Sequence, residues 1–138
     1  MTIQEAIDRA RALRETEVPD EAMRDWLDVY DENTWERTLK HYVPGGMPTE
    51  FPYKANDDWR QIELLLPDKY GLDIYPAFLT MKIDYHHGDI DRYNNGAILF
   101  NEADKAMRLD YSRTKTWVPT ADEMHPPAPW DPRVNVRF

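Results

Sequence analysis

The strongest constraint on the fold is an apolar stripe that begins after residue 88. Its members recur every three or four positions, which is the spacing of one face of an α-helix. Asp89 precedes the stripe and can cap the helix, and Gly88 is suited to end a preceding one. The pattern predicts a helix that starts directly after a tight corner. Its apolar face comprises Ile90, Tyr93, Ala97, Phe100, Ala103, Met107 and Tyr111.

The residues before this corner predict a second helix that packs against the first. Asp73 can cap it, because Pro76 then falls in the first turn, where a missing N–H breaks no intrahelical hydrogen bond. The short corner makes the two helices antiparallel neighbours, so residues 73–113 are predicted to form a helical hairpin. The apolar side of the earlier helix carries Tyr75, Phe78, Leu79 and Ile83.

Two further helices are predicted in the first third of the chain. Thr2 and Glu5 form a capping box before an amphipathic stripe, which indicates a helix over residues 3–15. Asp20 is a candidate N-cap for a helix over residues 20–42, whose acidic start and basic end suit the helix dipole. The apolar positions of this second helix are Met23, Leu27, Tyr30, Trp35, Leu39 and Tyr42.

Proline and glycine interrupt the helical pattern after residue 42. Residues 43–59 contain three prolines and two glycines and are predicted to form a long loop, and the apolar run 61–67 a short extended connector. The predicted fold is therefore mainly α. It is a small bundle of about four helices with one helical hairpin, a long loop with a short β element, and an extended C-terminal arm. Residues 1–116 form the helical domain and residues 117–138 the arm.

The arm is predicted to bind another protein. Its stretch from residue 118 contains five prolines and has no helical period. Residues 134–138 alternate like a small strand, which needs the edge of a partner to pair with. Large aromatic anchors outside helices are typical of interfaces. The residues of the arm that are predicted to contact a partner or a neighbouring subunit are Trp117, Trp130, Val134, Val136, Arg137 and Phe138.

Charge and composition exclude several functional classes. The formal net charge of −9 disfavours binding to a nucleic-acid backbone, and the absence of cysteine excludes disulfides and thiolate zinc sites. No phosphate-cradling glycine motif or nucleophile motif occurs, so we expect neither a catalytic site nor a cofactor. The chain has no apolar run long enough for a signal peptide or a spanning helix, and we expect a soluble intracellular product.

The segment DYHHGDIDRYNN, residues 84–95, has the composition of a metal site. His86 and His87 are adjacent, however, so on a helix they project about 100° apart and do not easily bind one ion together. A break in the helix at Gly88 would also point the side chains of the nearby aspartates in different directions. The interpretation we favour is a helix end, a glycine corner and a capped restart. A metal-dependent hydrolase that uses this His/Asp cluster stays an alternative, with Asp84, Asp89 and Asp91 as further ligands.

Three asparagines share the last helix with its apolar stripe. If their amides are buried, they need partners and could specify how the helix meets another helix or subunit. If they face water, they carry no such information, and the sequence leaves both alternatives open. The residues predicted to serve hairpin packing or a subunit interface are Tyr85, Arg92, Tyr93, Asn94, Asn95, Phe100 and Asn101.

The run from residue 63 to residue 114 resembles the head-tail connector proteins of tailed bacteriophages, which are also called adaptor or neck proteins. In that family an LL-x-P-x-x-Y segment leads into a helix with K-I-D-Y, a glycine corner, and then R-Y-N-N and L-F-N. The resemblance covers residues 2–114 and departs at His86, His87 and the loop 43–59. The matching residues are Leu65, Pro67, Tyr70, Lys82, Ile83, Asp84, Tyr85, Gly88, Arg92, Tyr93, Asn94, Asn95, Leu99, Phe100 and Asn101.

The resemblance implies a structural subunit of the virion, assembled in the host cytoplasm. Such subunits form a homo-oligomeric ring, a dodecamer, between the portal protein and the next neck or tail protein, where the ring continues the DNA channel. Acidic side chains on the lumen would let DNA pass without sequence-specific binding. An alternative of another class is a small acidic phage-encoded regulator or inhibitor that binds a host protein.

Overall fold

The structure, a computed structural model, describes residues 1–42 and 51–114. In these ranges the chain forms four α-helices: α1 (Ile3–Leu13), α2 (Asp20–Arg37), α3 (Asp68–His86) and α4 (Ile90–Thr114). The mainly α fold and the small helical bundle are thereby confirmed. None of the described helices combines the length and the apolar character that a membrane span requires. The predicted arm, 117–138, and the first part of the long loop lie outside the described residues.

The corner between α3 and α4 has the predicted geometry. Gly88 adopts a positive φ of 73°, the left-handed conformation that glycine reaches without strain. The backbone N–H of His87 donates to the Ile83 carbonyl at 2.9 Å and ends α3. Asp89 then caps α4, because its Oδ1 accepts the backbone N–H of Arg92 at 3.1 Å. The short corner holds α3 and α4 as antiparallel neighbours.

The predicted start of α3 at Asp73 is wrong. The helix begins at Asp68, and the Pro67 carbonyl accepts the N–H groups of Tyr70 and Gly71 at 2.9 and 2.8 Å. Pro76 consequently lies in the third turn rather than the first. The helix tolerates it there because the residues just before it, Ile74 and Tyr75, are fully buried, and this burial offsets the hydrogen bond that proline cannot donate.

The first two helices are shorter than predicted. Thr2 caps α1 as expected, since its Oγ1 accepts the N–H of Glu5 at 3.2 Å, but α1 ends at Leu13. Asp20 is the first residue of α2 rather than its N-cap. The α-helix ends at Arg37, and a separate 3-10 turn follows over Leu39–His41. The carboxylate of Asp20 is engaged elsewhere.

Two guanidinium groups bind the Asp20 carboxylate. Arg11 donates to Oδ1 at 2.5 Å and Arg60 to Oδ2 at 2.6 Å, so the side chain joins α1, α2 and the linker before α3. Two cationic guanidinium donors bind a carboxylate more strongly than the backbone N–H groups of a helix end do, which explains why the side chain turns away from that end.

The segment 51–67 crosses the bundle as a short, largely irregular connector. It contains 3-10 turns at Tyr53–Ala55 and Trp59–Gln61. Beyond them the chain is extended as predicted, and it pairs with the N-terminus through one antiparallel bridge between Thr2 and Glu63. The bridge is isolated, and residues 1–42 and 51–114 form no β-strand. The three leucines that follow, 64–66, are buried and tie the connector to the core.

An aromatic cluster joins the hairpin to α2. The Tyr30 ring lies 5.0 Å from the Phe78 ring and 5.5 Å from the Phe100 ring, measured between centroids. The aromatic residues on the predicted apolar faces are buried, apart from Tyr42 and Tyr93, which are partly buried. The core lies between the inner face of the hairpin on one side and α1 and α2 on the other, and the buried face of α1 consists of Ile3, Ala6, Ile7 and Ala10.

Candidate interaction surface

The corner of the hairpin exposes large side chains. Tyr85, in the last turn of α3, is 65% exposed, and its ring lies 5.2 Å from that of Tyr93. Ile90 begins α4 and is 61% exposed. Exposed aromatic and aliphatic side chains at the tip of a rigid hairpin form a surface that a partner protein could cover.

The polar residues predicted for the hairpin lie on its outside. Arg92, Asn94, Asn95 and Asn101 are all exposed, so the three asparagines face water. The guanidinium of Arg92 is oriented by the carboxylate of Asp89, with Nε 3.4 Å from Oδ2. We refer to Tyr85, Ile90, Arg92, Asn94, Asn95 and Asn101 together as the hairpin surface.

Phe100 does not belong to this surface. It is 9% exposed and packs against Phe78 at 5.4 Å between ring centroids. Tyr93 is intermediate, because it reaches the core with one side and Tyr85 with the other. The seven residues predicted for hairpin packing or a subunit interface therefore fall into two groups. Some pack between helices, and the others lie on a surface that no other described residue covers.

A groove lies between the end of α1, the outer side of α3 and the first half of α4. It encloses about 480 Å³, and three exposed leucines bound it: Leu13, Leu72 and Leu99, at 58, 41 and 64% exposure. Sequence analysis missed this groove. Its three leucines come from three different helices, so no local periodicity brings them together. We call it the leucine groove.

The wall of the leucine groove contains two polar atoms without a partner. Thr80 Oγ1 and Asp84 Oδ2 are buried and accept or donate no hydrogen bond among the described residues. The other carboxylate oxygen, Asp84 Oδ1, accepts the Nε–H of Arg14 at 3.1 Å. An unpaired buried oxygen costs about 1–3 kcal/mol, and both oxygens lie behind the groove surface, out of contact with solvent.

The two histidines at the corner do not form a ligand cluster. His87 Nε2 lies 3.1 Å from Thr16 Oγ1 and 3.6 Å from a carboxylate oxygen of Glu17. The ring centroids of His86 and His87 are 5.8 Å apart. Residues 1–42 and 51–114 contain no group of three or more histidine and acidic side chains that could hold a metal ion. His87 instead connects the corner to the segment after α1.

A fully buried carboxylate lies on the opposite side of α3. Asp31 accepts hydrogen bonds from Tyr53 Oη at 2.5 Å, Tyr75 Oη at 2.7 Å and the backbone N–H of Leu65 at 3.3 Å. Tyr75 Oη in turn accepts the N–H of Leu66 at 2.9 Å. Asp31 thus joins α2, the connector and α3 through one side chain.

Burial has a large effect on the acidity of this group. Desolvation raises the pKa of Asp31 to about 7, although the hydrogen bonds from both tyrosines and from Leu65 favour the ionised form. The nearby Asp28 raises it further. Sequence analysis did not single out Asp31. The signal was its position four residues after Leu27 and four before Trp35, on the apolar face of α2.

The predicted arm contacts lie outside the described residues, so the structure does not bring them together with the hairpin surface. They are Trp117, Trp130, Val134, Val136, Arg137 and Phe138. Comparisons of the chain with protein-family models, with curated proteins and with solved structures found no match.

Proposed function

We propose that the chain is a head-tail connector subunit of a tailed bacteriophage. The observation that carries the proposal is the hairpin surface. Its aromatic, basic and amide side chains coincide with positions that resemble the connector family, and packing of the described bundle leaves them exposed. Side chains that the core does not use are available for contacts with neighbouring subunits.

The proposed partners follow from this role. Copies of the chain form a twelve-membered ring in the neck of the virion, with the portal protein on one side and the next neck or tail protein on the other. DNA passes through the ring. A net charge of −9 per subunit supports this passage, because an acidic lumen repels the phosphate backbone instead of binding it.

In this proposal the arm, residues 117–138, attaches the ring. Its alternating residues 134–138 add as a strand to an exposed edge of the portal or of a neighbouring subunit. Main-chain hydrogen bonds would supply affinity, and the aromatic residues Trp117 and Trp130 would supply anchors.

Deletion of residues 117–138 is expected to weaken binding to a portal ring at least 10-fold, because it removes the proposed anchors and strand. The measurement is sedimentation or surface-based binding with a purified portal ring of a tailed bacteriophage. Val29→Ala, an exposed change on α2, serves as the control and should bind like the unaltered chain. Unchanged affinity after deletion would contradict the role of the arm, and no binding by the full chain would contradict the connector function.

The double variant Tyr85→Ala, Asn94→Ala is expected to reduce ring formation on portal complexes about 10-fold, with little change in the melting temperature. Both side chains are exposed, so their loss removes subunit contacts rather than core packing. Electron microscopy of the assembled complexes gives the fraction of complete rings. A normal yield of rings would exclude the hairpin surface from the subunit contact.

A further inference from the structure

The leucine groove has the properties of a binding site whose occupant is missing from the described residues. Leu13, Leu72 and Leu99 expose a substantial part of their apolar surface around one concavity. Burial of apolar surface contributes about 25 cal/mol per Å², so a segment that covers all three would be stabilised.

We propose that the leucine groove binds residues 130–138 of the same chain. This inference concerns the isolated subunit and does not depend on the connector function. An extended segment places every second side chain on one side, so Val134, Val136 and Phe138 can pack together against the three leucines. The segment is thus apolar on one side and polar on the other.

In this arrangement Arg133 and Arg137 lie on the opposite side of the extended segment, away from the groove. The groove is lined by two acidic side chains, Asp73 and Asp84, and by two basic ones, Arg14 and Arg92, so its formal charges cancel. The apolar side of the segment, rather than its charge, therefore matches the groove.

The tether between the last described residue and the segment is long enough. Residues 115–129 can span about 50 Å when extended, whereas Leu99 lies only about 22 Å before the end of α4 along the helix axis. A tethered segment of this kind has an effective concentration in the millimolar range. At micromolar protein concentrations, binding within one chain is therefore favoured over binding between chains.

The absence of cysteine from the sequence permits a direct test by disulfide formation. The variant Leu99→Cys, Val136→Cys places one thiol at the groove and one on the segment. The control Ile98→Cys, Val136→Cys uses the next residue, which is similarly exposed, at 58%, but does not line the groove. After mild oxidation of dilute full-length protein, intact mass and non-reducing electrophoresis separate monomers with an internal disulfide from dimers.

We expect the internal disulfide to form at least 5-fold faster in the Leu99 variant than in the Ile98 variant. Adding Leu72→Ser to the Leu99 variant should slow it about 5-fold, because the exposed leucine contacts the segment and not the core. Equal rates for the two pairs, or a product that is mainly disulfide-linked dimer, would overturn the proposal. Portal binding is measured in a separate experiment. A failure of the groove proposal can therefore be distinguished from a failure of the connector function.

Discussion

Raising the pH from about 5 to about 7.5 is expected to remove about 2.5 kcal/mol of the free energy of unfolding through Asp31 alone. The pKa of this carboxyl rises from 3.8 in the unfolded chain to about 7 in the folded protein, because burial disfavours the charged form. Between those values the folded protein holds a proton that the unfolded chain has released. The stabilising contribution is therefore complete below about pH 4 and is lost as the pH rises through about 7.

The variant Asp31→Asn tests this expectation, because asparagine is neutral at every pH and has nearly the same shape as aspartate. Urea unfolding, followed by circular dichroism, gives the free energy of unfolding at the two pH values. This free energy should decrease strongly from pH 5 to pH 7.5 for the unaltered chain and much less for Asp31→Asn. Asp25→Asn, on the same helix but 54% exposed, is the matched control and should keep the decrease. Parallel pH dependences for the unaltered chain and Asp31→Asn would show that this carboxylate does not titrate as described.

Asp20 has the opposite effect on the pH dependence of the free energy of unfolding, and it acts in another pH range. Although burial opposes ionisation, the hydrogen bonds from Arg11 and Arg60 lower the pKa of Asp20 below its usual value of 3.8. Its contribution is present above that value and is lost only as the pH falls below it. The comparison between pH 5 and pH 7.5 therefore isolates the effect of Asp31 from that of Asp20.

Phe100→Ala is expected to lower the free energy of unfolding by about 3–5 kcal/mol. The side chain is 9% exposed and contacts both Tyr30 and Phe78, so its removal leaves a cavity between α2 and the hairpin. The measurement is urea unfolding at pH 5, where Asp31 is protonated.

The neighbouring residue supplies a strict control for this substitution. Asn101 is exposed on the same helix and does not line the leucine groove, and Asn101→Ala should change the free energy of unfolding by less than about 1 kcal/mol. Similar effects of the two substitutions would contradict the orientation of α4. The comparison thus separates the part of the L-F-N motif that packs the core from the part that faces outward.

The sequence predicted the hairpin well because its signals are local. A helix cap, a glycine with positive φ and an apolar period of three or four residues each depend on neighbours within about one turn. For the same reason the seven predicted hairpin residues could be located on the correct helices. The apolar period correctly placed Phe100 on the buried face, but it placed Ile90 there too, and Ile90 is 61% exposed at the start of α4.

The errors arose where distant parts of the chain compete with local preferences. Pro76 suggested a helix start nearby, but α3 begins five residues earlier, where Lys69 and Tyr70 donate to the Asp110 carboxylate of α4. Asp20 was expected to cap a helix, but Arg11 and Arg60 bind it instead. In both cases a contact from another segment outweighs the local signal.

By itself, the sequence determined the mainly α class, the number of helices in the described residues and the corner at Gly88. Only the tertiary structure decided that Leu13, Leu72 and Leu99 line one groove and that Asp31 accepts hydrogen bonds from two tyrosines. The physical reason is that periodicity and capping act over a few residues along one chain segment. Burial and carboxylate acidity depend instead on which segments pack together, and that packing is a property of the whole core.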